Sequence, residues 1–157
     1  MPLTFKNKFY LSVVFLIIVV FLVLFVKQNF FEKNHYGTVR IGGRNIAVEI
    51  ADNTTRRNKG LSGRAKLDSN TGMLFIYPDY AIRSFWMKNM FFSLDIIWIK
   101  DNRIVGVEKN VSLPIGAYIP VVKSSDPVNA VLEVNAGFCE KNNIKIGDAV
   151  SLLTGEK

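Results

Sequence analysis

The sequence predicts a mainly β, α+β domain preceded by one transmembrane helix. Three observations predict it. Phe9–Val26 is eighteen uncharged residues, sixteen of them Leu, Ile, Val or Phe. Beyond it, short β-branched or alternating runs are separated by turn signals such as Gly42-Gly43 and Asp101-Asn102. Only two short stretches carry helix signals. The expected domain is a compact antiparallel or mixed sheet, or a small barrel, with one or two short helices.

As a helix, Phe9–Val26 would span about 27 Å, close to the hydrocarbon thickness of a bilayer. It has no polar face to meet water, so a spanning anchor is expected over a surface helix. The run exceeds the apolar region of a secretory signal, and Lys27-Gln28-Asn29-Phe30-Phe31 follows it without an Ala-x-Ala pattern. An uncleaved anchor is therefore expected. The layout is a tail (1–8), an anchor (9–26), a linker (27–37) with His35 exposed, and a β-rich domain (38–157). Lys6 and Lys8 favour a cytoplasmic tail, which puts the domain in the periplasm or at the cell surface.

The formal net charge is +7, and all thirteen acids lie beyond Val26. A basic surface suits anionic partners. No run matches a nucleic-acid module, and an outward-facing domain disfavours nucleic acid further. One cysteine, Cys139, excludes an internal disulfide and a thiolate metal cluster. One histidine, His35, lies in the expected linker and disfavours Ser–His–Asp and Cys–His sites. No metal, phosphate-loop or dinucleotide pattern is present, and no cofactor is expected.

In chain order, Thr38–Ile41 and Asn45–Ala51 read as a hairpin around Gly42-Gly43-Arg44. Asp52 or Asn53 caps a short helix over Thr54–Leu61, ended by Gly63. Strands follow over Gly72–Tyr77, Ile82–Lys88 and Leu94–Ile99. The last is apolar on both faces, as a strand buried on both sides would be. Arg103–Glu108 completes a hairpin. Asn110–Pro127 carries Pro114, Pro120 and Pro127 and no periodicity, so it reads as a long loop. Ala130–Asn135, a short helix over Ala136–Asn142, and a strand over Ile146–Leu153 close the domain.

The richest stretch is Gly72–Lys100, which holds both tryptophans and sets Arg83, Lys88, Asn89, Ser93 and Asp95 among apolar residues. Buried polar groups need partners. The candidate site groups Arg57, Arg64, Lys88, Asn89, Asp95 and Glu133, walled by Phe85, Trp86 and Trp98. Asp95 opens a buried strand and Glu133 sits mid-strand, so both call for cations, with Arg64 or Lys88 as the candidates. Two readings stay open: an ion-pair network fixing strand register, or the floor of an anion- or sugar-binding pocket.

The ordered motifs resemble a known family. They are Gly60-Leu61 with Arg64, Gly72-Met73-Leu74-Phe75, Trp86-Met87-Lys88-Asn89, Leu94-Asp95, Leu132-Glu133 and Gly147-Asp148. Together they resemble the bacterial and archaeal family of domain of unknown function (DUF) 192, over about Thr38–Leu153. Ser62, Met90 and Ser93 depart from its pattern, where Met, Thr and Pro are usual. The resemblance implies a compact β-rich fold, often exported behind a signal or anchor, and supplies no reaction or ligand.

Three functions follow as expectations. The first is a non-catalytic binding or accessory module for an envelope glycan, small anionic ligand or protein partner. The second is an envelope hydrolase using Asp95 and Glu133 as acid and base. The third is a scaffold subunit of a membrane complex, with the membrane itself contacted by Phe9–Val26.

Overall fold

The structure, a computed structural model, describes residues 5–33 and 35–153. It divides into two units, one up to His35 and one from Tyr36 onward.

The first unit is helix α1 (Phe5–Lys33, 29 residues). At 1.5 Å per residue it is about 43 Å long. Every described apolar side chain from Val13 to Phe25 is exposed, up to 73% at Phe21. Side chains in α1 are described at Tyr10 and residues 12–25. Over the described residues no helix is long and apolar enough to cross a membrane. The expected linker differs in two ways: residues 27–33 continue the helix, and His35 is buried rather than exposed.

The second unit is built on a seven-stranded mixed sheet. Its strands are β1 (Tyr36–Ile41), β2 (Arg44–Ala51), β3 (Thr71–Ala81), β5 (Leu94–Lys100), β6 (Arg103–Val111), β8 (Val128–Asn135) and β9 (Val150–Leu153). The order is β6-β5-β8-β3-β2-β1-β9. Gly42 and Gly43, both at positive φ (54° and 74°), make the tight β1–β2 hairpin as the sequence predicts. Only β2 and β3 run parallel, joined through helix α2 (Thr54–Lys59). Asn53 caps α2, its side chain accepting from Arg56 N at 3.0 Å. The helix ends at Gly60 (φ 51°), before the Gly63 stop read from the sequence.

The sheet curls into a half-barrel, and its two end strands meet at one corner. Ile104 N donates to Asp148 O (3.0 Å), Gly147 N to Ile104 O (2.8 Å) and Val150 N to Asn102 O (2.8 Å). The inner face buries Val39, Ile46, Val48, Leu74, Ile97, Leu132 and Val134, covered by Cys139 of α3 (Phe138–Lys141) and Ile144. The outer face buries Met73, Phe75, Leu94, Ile96, Trp98 and Val131 under Leu61, Met87 and Met90. The β5 residues alternate between these two cores, which is why the run Ile96–Ile99 is apolar throughout.

A two-stranded ribbon, β4 (Ser84–Trp86) with β7 (Val121–Lys123), accompanies the outer face. It corrects two expectations. The strand read over Ile82–Lys88 is only three residues long and lies outside the main sheet. The expected loop Asn110–Pro127 contains β7 and a tight turn where Ile115 and Tyr118 exchange backbone hydrogen bonds. β3 also continues past Pro78 to Ala81, because its pairing with β8 is irregular between Ile76 and Ala81 and asks no N–H of the proline. The last strand begins at Val150, later than the sequence indicates.

Candidate functional site

The β-ladder decides which candidate side chains share a face. Glu133 on β8 is cross-strand partner to Met73 of β3 and Ile96 of β5, both outer-core residues. Its side chain therefore belongs to the outer face. Asp95 pairs with Val134, an inner-core residue. The two carboxyls lie on opposite faces of the sheet, so the structure does not bring together the expected acid–base pair.

Asp95 is fully buried and meets backbone rather than a cation. Its Oδ1 accepts from Asn110 N (2.8 Å) and Gly137 N (3.2 Å), and its Oδ2 from Cys139 N (2.8 Å). It ties β5 to the end of β6 and the start of α3. Charge-assisted bonds of this kind satisfy a buried carboxylate without an arginine. Of the two cations expected for the carboxyls, Lys88 lies over the Trp86 ring and Arg64 forms an ion pair with Glu49 at 2.6 Å. That pair is about one-third exposed and lines a separate cleft of about 290 Å3 with Lys66 and Tyr36.

Glu133 lines a larger cavity of about 620 Å3 on the outer face. One wall is Arg57–Ser62, at the end of α2 and beyond it. The opposite wall is the ribbon, through Ser84, Phe85, Trp86 and Val121. Phe75 and Tyr77 of β3 complete the lining with Met90. Glu133 is 6% exposed, and its carboxyl has no hydrogen-bond or ion-pair partner among the described residues. Burial pushes its pKa up to about 8, opposed by the Arg64 charge. Burial thus favours its neutral acid form, which can donate one hydrogen bond and accept others.

Aromatic rings and cations surround it. Phe85 stands edge-on to Phe75 (4.8 Å) and to Trp98 (5.7 Å). Arg57 Nη1 donates to Asp52 O (2.9 Å) and Ile76 O (2.8 Å), fastening α2 to β3. The guanidinium groups of Arg83 and Arg57 lie 3.7 and 4.9 Å from the Tyr77 ring centre. Burial raises the Tyr77 pKa, while those two cations oppose the rise.

Of the sequence candidates, Arg57, Phe85, Trp86 and Glu133 line this cavity. Lys88 and Asn89 do not. Lys88 lies 5.3 Å from the Trp86 ring centre, and its carbonyl accepts from Ser62 Oγ (3.0 Å). The Asn89 carbonyl accepts from Gly63 N (2.8 Å), with Asn89 itself at φ 57°. Trp98 is buried beneath Phe85 and is no wall. Sequence reasoning missed Tyr77 and Phe75. Their signal was alternation along β3, which puts Met73, Phe75 and Tyr77 on one face. Among the described residues no group of three His, Cys, Asp or Glu could hold a metal.

A curled mixed sheet with a solvent-open cavity beside the Glu133 carboxyl defines a β-rich domain with a candidate ligand site. Residues 37–152 match the family model DUF192, described as Uncharacterized ACR. The chain belongs to this family. Two solved structures are similar to it. One, from Sinorhizobium meliloti, is described as a "putative transcription regulator". It is 31% identical, with a TM-score of 0.67, covering 74% of this chain and 93% of its own. The other, from Novosphingobium aromaticivorans, is described as a protein of unknown function. It is 29% identical, with a TM-score of 0.64, covering 74% of this chain and 83% of its own. None of the curated proteins matches the chain.

Proposed function

We propose that the chain is a membrane-tethered, extracytoplasmic binding module whose outer-face cavity takes a small envelope-derived ligand, an envelope glycan or a fragment of one. The observation that carries this reading is the Glu133 carboxyl, buried and unpartnered at a cavity lined by aromatic rings. In the solvent-open cavity those oxygens meet water, which a ligand hydrogen bond can replace. Exposed Trp86 beside half-buried Phe85 offers the flat apolar surface on which a sugar ring stacks.

The tether reading rests on Phe9–Val26. The described apolar side chains, Val13 to Phe25, are all exposed, the run carries no charge, and lipid satisfies such a surface better than water. Lys6 and Lys8 favour retaining the short tail in the cytoplasm. The hydrolase reading loses its support, because Asp95 is saturated by backbone N–H groups on the other face.

Calorimetric titration of the full chain in lipid nanodiscs against envelope glycan fragments tests the ligand. Saturable binding that is lost on blocking the cavity with Ser84→Trp is expected; a flat response across the panel overturns it. A reporter fused at Lys157 tests the side of the membrane, and an active cytoplasmic-only reporter would refute the extracytoplasmic placement.

A further inference from the structure

Ile115 and Tyr118 are 73% and 67% exposed. They close one tight turn, in which each donates its N–H to the other's carbonyl at 3.0 Å. Gly116, at φ 59°, carries the bend, and Pro114 and Pro120 bracket it. Ile119 and Val121 follow, both exposed. Val121 is cross-strand partner to exposed Trp86, and Lys123 to exposed Ser84. Opposed residues of an antiparallel pair share a face, so these four side chains of the ribbon point the same way. Two aromatic rings and three aliphatic side chains thus make one run of surface from the turn onto the ribbon. Apolar residues scattered singly need no explanation, whereas a run of them marks a contact.

Charge and connectivity select what covers it. Residues 80–94 and 109–125, which carry the run, contain no Asp or Glu. Lys123 shares the exposed ribbon face, and Lys88 Nζ lies 5.3 Å from the Trp86 ring centre. Neither lysine has an ion-pair partner among the described residues. Apolar and aromatic side chains edged by free lysines complement acyl chains beneath anionic headgroups. A glycan offers no apolar layer to Ile115 and Ile119. The paired backbone of the turn suits lipid too, because a bilayer interior has no hydrogen bond to give an unsatisfied N–H. With Phe9–Val26 in a membrane, only residues 27–35 separate that run from β1, a length of chain that reaches at most about 30 Å. So short a tether keeps lipid at a high effective concentration, and a small apolar contact then suffices.

We propose that the turn closed by Ile115 and Tyr118 is a second membrane contact, formed by the folded domain itself. Ile115, Tyr118 and Ile119 enter the interfacial layer, and Lys88 and Lys123 meet anionic headgroups. This rests on the tether in the reading above and adds a surface to it. Trp86 and Val121 also line the outer-face cavity, so the contact sets the ribbon wall of that cavity beside the lipid.

The test places an environment-sensitive dye, attached by maleimide to Ile115→Cys, on the full chain in vesicles of phosphatidylcholine and phosphatidylglycerol. Cys139 is buried, so the introduced thiol takes the dye and the parent chain is the blank. The dye should emit as in an apolar layer and be quenched by doxyl-labelled lipid. The same dye on exposed Arg44→Cys, at the β1–β2 hairpin, should emit as in water and escape quenching. Lys88→Glu with Lys123→Glu should cut quenching at the turn about twofold or more; unchanged quenching would refute the headgroup contact. A turn dye that stays in water overturns the proposal. So does equal quenching at Arg44→Cys, which would show an unspecific approach to lipid. Shielding from water without quenching by lipid also overturns it, by placing a protein, such as a second copy of the chain, on this face. An alkaline carbonate wash reads the tether separately. A chain that washes off refutes the anchor, and the turn dye, read with the vesicles added back, still decides this contact.

Discussion

Asp95 and Glu133 occupy neighbouring hydrogen-bonded strands yet face opposite sides of the sheet, because Asp95 is in register with Val134 and Glu133 with Ile96. Two buried carboxyls thus have separate work. One is spent on three backbone N–H groups inside the half-barrel. The other opens into a solvent-accessible cavity.

Glu133 should make stability fall with rising pH. Its folded pKa of about 8 lies above the ordinary 4.5, so the folded state holds a proton that the unfolded state has lost between those values. The contribution is complete below pH 4.5 and is lost as pH rises through 8. The slope reaches about 1.4 kcal/mol per pH unit at most. Urea unfolding of the native chain and of Glu133→Gln at pH 5, 6.5 and 8 checks this; parallel pH profiles would show that Glu133 does not titrate differently on folding.

Asp95→Asn should destabilise the fold by about 2–4 kcal/mol, because an amide nitrogen would face backbone N–H donors. Ligand affinity of the folded fraction should be unchanged. Denaturant titration with calorimetry on the same sample measures both, and a selective loss of binding would contradict the assignment.

Gly72→Ala should lower Tm by about 10 °C. A Cβ there would stand 2.6 Å from the Glu133 carbonyl oxygen, so β3 and β8 would have to separate. Differential scanning calorimetry reads the shift.

Trp86→Ala should leave Tm within a few degrees, since the ring is 57% exposed. Sugar affinity should drop about two- to tenfold, the range for losing a stacked ring.

Cys139 should resist a water-soluble maleimide until the domain unfolds. The side chain is buried, and burial together with nearby Asp95 holds its thiol up at about 12. Fast labelling of the folded chain at pH 7 would show that α3 opens readily.

Much of the sheet was legible because strand burial leaves a pattern. Ile96–Ile99 announced a strand covered on both sides, and Glu133 inside an apolar strand announced a buried carboxyl. The fate of Asp95 was not legible. Its partners are main-chain groups at Asn110, Gly137 and Cys139, and an N–H group has no letter in the sequence. Pairing Arg64 with Glu49 likewise needs the β2–β3 crossover, which puts residues fifteen apart side by side. The ribbon escaped notice because Val121–Lys123 is only three residues between prolines, too short to show a period. One wall of the cavity, Ser84–Trp86 with Val121, hung on that pairing.

Thr38 and Leu153 are cross-strand neighbours on β1 and β9. The polypeptide therefore enters and leaves the half-barrel at one corner, making the domain a loop of chain drawn shut at its neck. Such a unit can be spliced into a surface loop of an unrelated host, or reopened at the Asp101-Asn102 turn with its old ends joined, while every strand keeps its neighbours.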